Sequence, residues 1–183
     1  MAGLGYAGIQ KKKAAEAASA KATAEADDSN TVTWQGKTYK YNQNLSNYLL
    51  LGVDKRTPAE TRVGKADAGQ ADAIFLLSLN RKTKEMTLIS IPRDTMTDVE
   101  SFDLEGKSLG KSKDHISLSY GYGDGGAESC KLTQEAVSNL FYGLPIQGYL
   151  AMNLDGIPEL SKSVGGLTVT VPNNSLEYKY PEF

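Results

Sequence analysis

The stretch that decides the fold is Ala71–Thr95, "ADAIFLLSLNRKTKEMTLISIPRDT". It holds two apolar runs, Ala71–Leu79 and Met86–Ile91, separated by the polar "NRKTKE". Runs of six and nine mostly apolar residues around a short polar turn predict two buried antiparallel strands. The second run stops at Pro92, which has no N–H to donate to a ladder, and Arg93, Asp94 and Thr95 follow at once. The start of the first strand and the end of the second must lie side by side, so the pattern places Asp72 and Arg93 at one edge of a sheet.

Working outward, Asn47–Val53, "NYLLLGV", is a near-continuous apolar run and predicts a strand buried on both faces. Its exit, "DKR", offers Asp54 and Arg56. If this strand is parallel to Met86–Ile91, those residues reach the same edge. Thr31–Asn42 alternates around Gln35-Gly36 and predicts a small hairpin. The hydrophilic stretch Glu100–Lys113 reads as a loop, and "DHISLSYGYG" from Asp114 as a short helix with Asp114 at its N-cap. From Ala127 to Tyr142, Leu132, Ala136, Val137, Leu140 and Phe141 share one helical face, and Gly143 and Pro145 end the helix. Gly148–Asn153 predicts a strand, Asp155–Val164 a helix capped by Asp155 and stopped by Gly165-Gly166, and Leu167–Val171 a last strand. The sum is an α/β domain: a mixed central sheet flanked by helices in three layers, α/β/α.

Bulk composition restricts the possibilities. The chain has 183 residues, 40% of them hydrophobic, enough for one globular domain with a core. A net charge of -2 and a pI near 5.5 speak against duplex DNA as partner. The only arginines are Arg56, Arg62, Arg81 and Arg93, so guanidinium chemistry must come from the first half. Cys130 is a lone cysteine and His115 a lone histidine, and no zinc-ligand spacing is present. Residues 2–9 are apolar but too short to cross a bilayer, and "KKK" follows them where a signal peptide would carry its charge first. They read as a flexible leader or as the trimmed end of a longer anchor. Residues 10–27 are rich in Ala, Lys and Glu and read as a helix-prone stalk. The expected organisation is a leader and stalk over 1–30, a hairpin extension over 31–45 and the main domain over 46–183.

Carboxylates and guanidinium groups around one mouth have a plain chemical use. Carboxylates hold Mg²⁺ through oxygen, with waters and substrate phosphates completing the shell. Arginines clamp phosphate oxygens. The combination points to metal-assisted handling of a phosphorylated substrate. Taken one at a time, Asp and Arg at strand ends are as well explained by structural ion pairs and turn caps; it is their convergence that favours a site.

The blocks "NYLLLGVDKR", the whole hairpin through "SIPRDT", "DHISLSYGYG" and "QGYLAMNLDGIPELSKSVGGLTVTVPN", in that order, resemble the LytR-CpsA-Psr (LCP) family over about Asn47 to Asn173. The resemblance implies an extracytoplasmic phosphotransferase on a single N-terminal membrane anchor in a Gram-positive-type envelope. It would move a glycopolymer, such as teichoic acid or capsule, from a polyprenyl-diphosphate carrier to peptidoglycan. Mg²⁺ would assist, with Mn²⁺ an alternative. Asp54 and Asp72 would hold the metal. Arg56, Arg93 and Gln70 would meet the pyrophosphate, Gln70 standing where many members carry arginine. Arg93 would be the central catalytic residue, with Asp94 orienting it or supporting the site from behind. Ile74, Leu76, Val137, Leu140 and Phe141 are candidates to line an apolar tunnel for the lipid, although each is also an ordinary core residue. His115 stands where members often have lysine, and a hydrogen bond at a helix start explains it equally. The family continues past "VTVPN" into an arginine-rich segment, so the chain is expected to be a C-terminally truncated, soluble piece. A lipid- or glycan-phosphate-binding module without turnover, and an envelope transcription attenuator, are the competing readings.

Overall fold

A computed structural model describes residues 30–56 and 61–170. In chain order the strands are β1 Thr31–Trp34, β2 Lys37–Lys40, β3 Leu45–Val53, β4 Ala71–Asn80, β5 Met86–Ile91, β6 Met96–Phe102, β7 Ser108–His115 and β8 Gly148–Asn153. The helices are α1 Leu118–Gly121, α2 Ala127–Leu140 and α3 Gly156–Ser163. A four-stranded mixed sheet runs β5-β4-β3-β8. β4 is antiparallel to both β3 and β5, while β8 is parallel to β3. β1 with β2, and β6 with β7, form two separate hairpins. The first turns through Gln35 and Gly36, both at positive φ (49° and 74°), as a two-residue turn matched to strand twist requires.

One face of the sheet carries the core. Leu49 and Leu51 of β3 and Ile74 and Leu76 of β4 are buried against Ala136 and Val137 of α2, with Val99 of β6 and Ile116 closing the end. Burying a side chain of this size stabilises by roughly 1.5–3 kcal/mol. The helical spacing expected over Ala127–Tyr142 is the spacing observed, and the helix ends at Leu140 before the positive-φ pair Tyr142 and Gly143. On the opposite face, Ile157 of α3 lines a cavity with Gly52 and Ala73 and so begins a second helical layer. Elsewhere on that face Tyr48, Met86, Leu88 and Leu150 are exposed, while Leu50, Phe75 and Leu77 are half-buried.

Several expectations need correction. β3 is not buried on both faces: burial alternates along it, and Tyr48 is 39% exposed. Met86–Ile91 is a strand but not a buried one. It is the sheet edge, with Met86 and Leu88 70% and 58% exposed, and only Ile91 is fully covered. Glu100–Lys113 is not a loop. It lies in the β6–β7 hairpin, whose first strand buries Thr97 and Val99 under α2 while its second faces water and so shows no apolar alternation. Asp114 is in β7, not at a cap: α1 begins after Ser117. Asp155 precedes α3 but makes no side-chain cap bond; Asn153 Oδ1 accepts from Gly156 N–H instead (3.1 Å). Leu167–Thr170 carries no strand, its apolar residues Leu167 and Val169 being exposed. Val171, the stalk at 10–27 and the leader lie outside the described residues.

Candidate functional site

The rim of the sheet is built by three chain segments. Asp54 follows β3, Gln70 and Asp72 flank the start of β4, and Arg93 and Asp94 follow β5. Residues 116–117 stitch them together. Ile116 N–H donates to the Thr95 carbonyl (2.9 Å), Ser117 N–H to the Arg93 carbonyl (3.2 Å), and Ala71 N–H to the Ser117 carbonyl (3.3 Å).

Arg93 is held on every side of its fork. Nη1 pairs with Asp72 Oδ1, Nη2 donates to Gln70 Oε1 (2.5 Å), and Nε lies 3.6 Å from Asp94 Oδ1. The Arg93 and Asp72 side chains are 43% and 39% exposed. A pair this open contributes at most about 1 kcal/mol of stability; its consequence is orientation. Asp94 Oδ1 is shared with His115 Nδ1 at 3.4 Å. His115 is thus the last residue of β7 beside Asp94, not a residue at a helix start.

Asp54 is held from behind. Its Oδ1 accepts the Gln70 N–H (2.7 Å), and its own N–H donates to the Gln70 carbonyl (3.1 Å). Gly69, at φ +94°, makes this approach possible, since a Cβ there would lie 2.7 Å from Asp54 Oδ1. Asp54 and Asp72 line one cavity of about 310 Å³ with Gly52, Ala73 and Ile157. Each has one carboxylate oxygen engaged, and the other has no protein partner among the described residues.

That donor set fits a hard cation that keeps water and takes substrate phosphate as further ligands, the usual habit of Mg²⁺. It does not fit an all-protein cage: the described residues hold no group of three or more His, Cys, Asp or Glu able to ligate a metal. Bound there, the cation would neutralise phosphate charge beside Arg93.

The structure therefore brings Asp54, Gln70, Asp72, Arg93 and Asp94 together. It turns Arg56 toward Asp155 instead (3.9 Å), both largely exposed. The five proposed tunnel residues do not line the cavities beside this rim. Ile74, Leu76 and Val137 are 0–1% exposed within the closed core, which leaves them no surface for a ligand, and Leu140 and Phe141 pack against that core. The cleft between sheet and helices, about 450 Å³, is lined by Val53, Ala68, Tyr120, Cys130 and Met152 among others. Ser117 is the residue sequence reasoning misses. It is fully buried, and its hydroxyl reaches Gln70 Oε1 (3.4 Å) from 47 positions away, a contact no local pattern announces.

Fold and rim together define an α/β domain that gathers carboxylates and one guanidinium at a single edge of its sheet. A profile of the LytR_cpsA_psr family matches residues 6–182, and the chain belongs to that family. Among its relatives, the polyisoprenyl-teichoic acid–peptidoglycan teichoic acid transferase TagU of Bacillus cereus is 34% identical over 131 residues, covering 72% of this chain and 35% of the relative. The protein of the same name from Bacillus licheniformis is 31% identical over 133 residues, with the same coverage. Two crystal structures are similar: TagV of B. subtilis (30% identity, TM-score 0.50, 72% of this chain and 45% of that one), and gbs0355 of Streptococcus agalactiae (26%, TM-score 0.54, 76% and 44%). The chain thus spans about a third of the length of these curated relatives. Among the described residues no helix is long and apolar enough to cross a membrane.

Proposed function

We propose that this chain carries the diphosphate-handling part of an extracytoplasmic phosphotransferase that moves a glycopolymer from a polyprenyl-diphosphate carrier to peptidoglycan. The observation that carries the reading is the junction of Asp54, Gln70, Asp72 and Arg93 at one rim. The names of the TagU relatives support the substrate class. In this reading Asp54 and Asp72 would hold Mg²⁺, or Mn²⁺, which would supply positive charge to the diphosphate, and Arg93 takes the charge that shifts onto the bridging oxygen. An acceptor hydroxyl attacks the phosphorus that bears the glycan. The bond from that phosphorus to the bridging oxygen breaks, polyprenyl phosphate leaves, and the hydroxyl proton passes to solvent or a base. A membrane anchor ahead of the domain belongs to the same proposal.

The test is calorimetric titration of the chain with farnesyl diphosphate in the presence of MgCl₂. Arg93→Ala should weaken binding by about 2 kcal/mol or more, the scale of a lost charge-assisted hydrogen bond. Equal binding by the variant would remove Arg93 from the site. A binding module without turnover is the second reading, favoured because one guanidinium alone stands in the network among the described residues. Diphosphate binding with no release of polyprenyl phosphate would select it.

A further inference from the structure

Gln70 occupies an unusual place in this rim. Its main chain makes both hydrogen bonds to Asp54: N–H to Oδ1 at 2.7 Å, and carbonyl from the Asp54 N–H at 3.1 Å. Its side chain belongs to the other half of the site, because Oε1 accepts from Arg93 Nη2 at 2.5 Å. The same oxygen accepts from the buried Ser117 hydroxyl at 3.4 Å. Ser117 also fixes both neighbouring backbones, through the Arg93 carbonyl and the Ala71 N–H. Arg93 is donor-only, so the amide must present its oxygen to it. Asp72 and Asp94 already bring two negative charges to the guanidinium. A third would leave the cluster strongly anionic and repel a diphosphate, whereas a neutral acceptor orients the fork without adding charge.

We propose that Gln70 is a positioning residue rather than a phosphate ligand: its backbone places Asp54 and its neutral side-chain carbonyl aims Arg93, coupling the metal-side and phosphate-side groups through one residue. The proposal rests on the diphosphate reading above and assigns Gln70 a role within it.

Two replacements separate the contributions. Gln70→Met keeps the length and the backbone N–H but removes the acceptor; Gln70→Glu keeps the acceptor and adds a charge. With Gln70→Met, affinity for farnesyl diphosphate with MgCl₂ should fall about tenfold. Mn²⁺ binding, followed by electron paramagnetic resonance, should be unchanged, since the bond to Asp54 comes from the main chain. The Arg93 guanidinium ¹⁵N signals should be distinct in the parent, where three partners hold the fork, and should average in Gln70→Met. With Gln70→Glu the guanidinium signals should stay distinct while diphosphate affinity still falls. Parent-like diphosphate binding by Gln70→Met, or loss of its Mn²⁺ binding in parallel, would overturn the proposal, and so would parent-like diphosphate binding by Gln70→Glu. If the parent itself binds no diphosphate, the functional reading fails, and the guanidinium signals still decide whether Gln70 orients Arg93. Should Gln70→Met not fold, Gln70→Glu, which differs little in shape, carries the test.

Discussion

Asp124 accepts hydrogen bonds through one carboxylate oxygen from the backbone N–H groups of Gly126, Glu128 and Ser129 (2.8, 3.0 and 3.2 Å). These lie at the start of α2, where helical N–H groups have no partner within the helix. Burial alone would raise the Asp124 pKa, but the hydrogen bonds from Gly126, Ser129 and Glu128 outweigh it and hold the carboxyl below its ordinary 3.8. A carboxylate whose folded pKa is lowered contributes stability that is fully present above the unfolded value and is lost as pH falls through the folded one. Asp124→Ala should therefore cost about 1 kcal/mol at neutral pH, and the gap to the parent should close as pH drops below 3.8. Asp124→Asn should keep most of the cap without that dependence. Urea unfolding at neutral and acidic pH measures both. The cap is hard to see in sequence because the position directly before α2 is Gly126, whereas Asp124 acts from two residues further out. Arg93 is the opposite case: a charged residue immediately after an apolar run that ends in proline is conspicuous, Asp72 and Asp94 are placed beside it by the hairpin and the chain, and of its three partners only Gln70 had to come from the structure.

At the scale of elements, apolar runs located strands well but ranked their burial poorly. β4 and β5 read alike, yet β4 is central and β5 is an edge with one neighbour. Leu76 of β4 is 1% exposed and Leu88 of β5 58%. Leu76→Ala should cost about 2–5 kcal/mol, and Leu88→Thr should stay within about 0.5 kcal/mol of the parent; thermal unfolding of the pair compares them directly. Similar losses at both positions would mean that something covers the outer face of β5 in solution. The β6–β7 hairpin shows the converse error. Its strands are polar because α2 covers a single stripe of β6, through contacts such as Thr97 Oγ1 to the Ala136 carbonyl (3.3 Å) and Asn139 Nδ2 to the Asp98 carbonyl (3.0 Å). A strand paired to a partner that is itself packed on the core can turn most of its side chains to water, and such a strand leaves little hydrophobic period to read.

Across the whole molecule, Cys130 reports on integrity. It is 3% exposed between α2 and the sheet, and burial, then the nearby Asp124 charge, push its thiol up to about 11. The thiolate is the reactive form, so labelling by a disulfide reagent at mildly alkaline pH should be slow and should rise with urea in step with global unfolding. Fast labelling of the folded protein would show that α2 opens on its own. By itself the sequence determined the α/β class, the β4–β5 hairpin, the helical face on α2 and the arrival of Asp72 and Arg93 at one edge, because hydrophobic period and a short turn are local properties that constrain neighbours directly. The tertiary structure alone decided which strands form the edges, that Arg56 turns to Asp155, that Ile74, Leu76 and Val137 are closed core, and that Gln70 and Ser117 join the two halves of the rim. Those outcomes depend on strand order and on contacts between residues tens of positions apart, and no repeating pattern along a single segment encodes either.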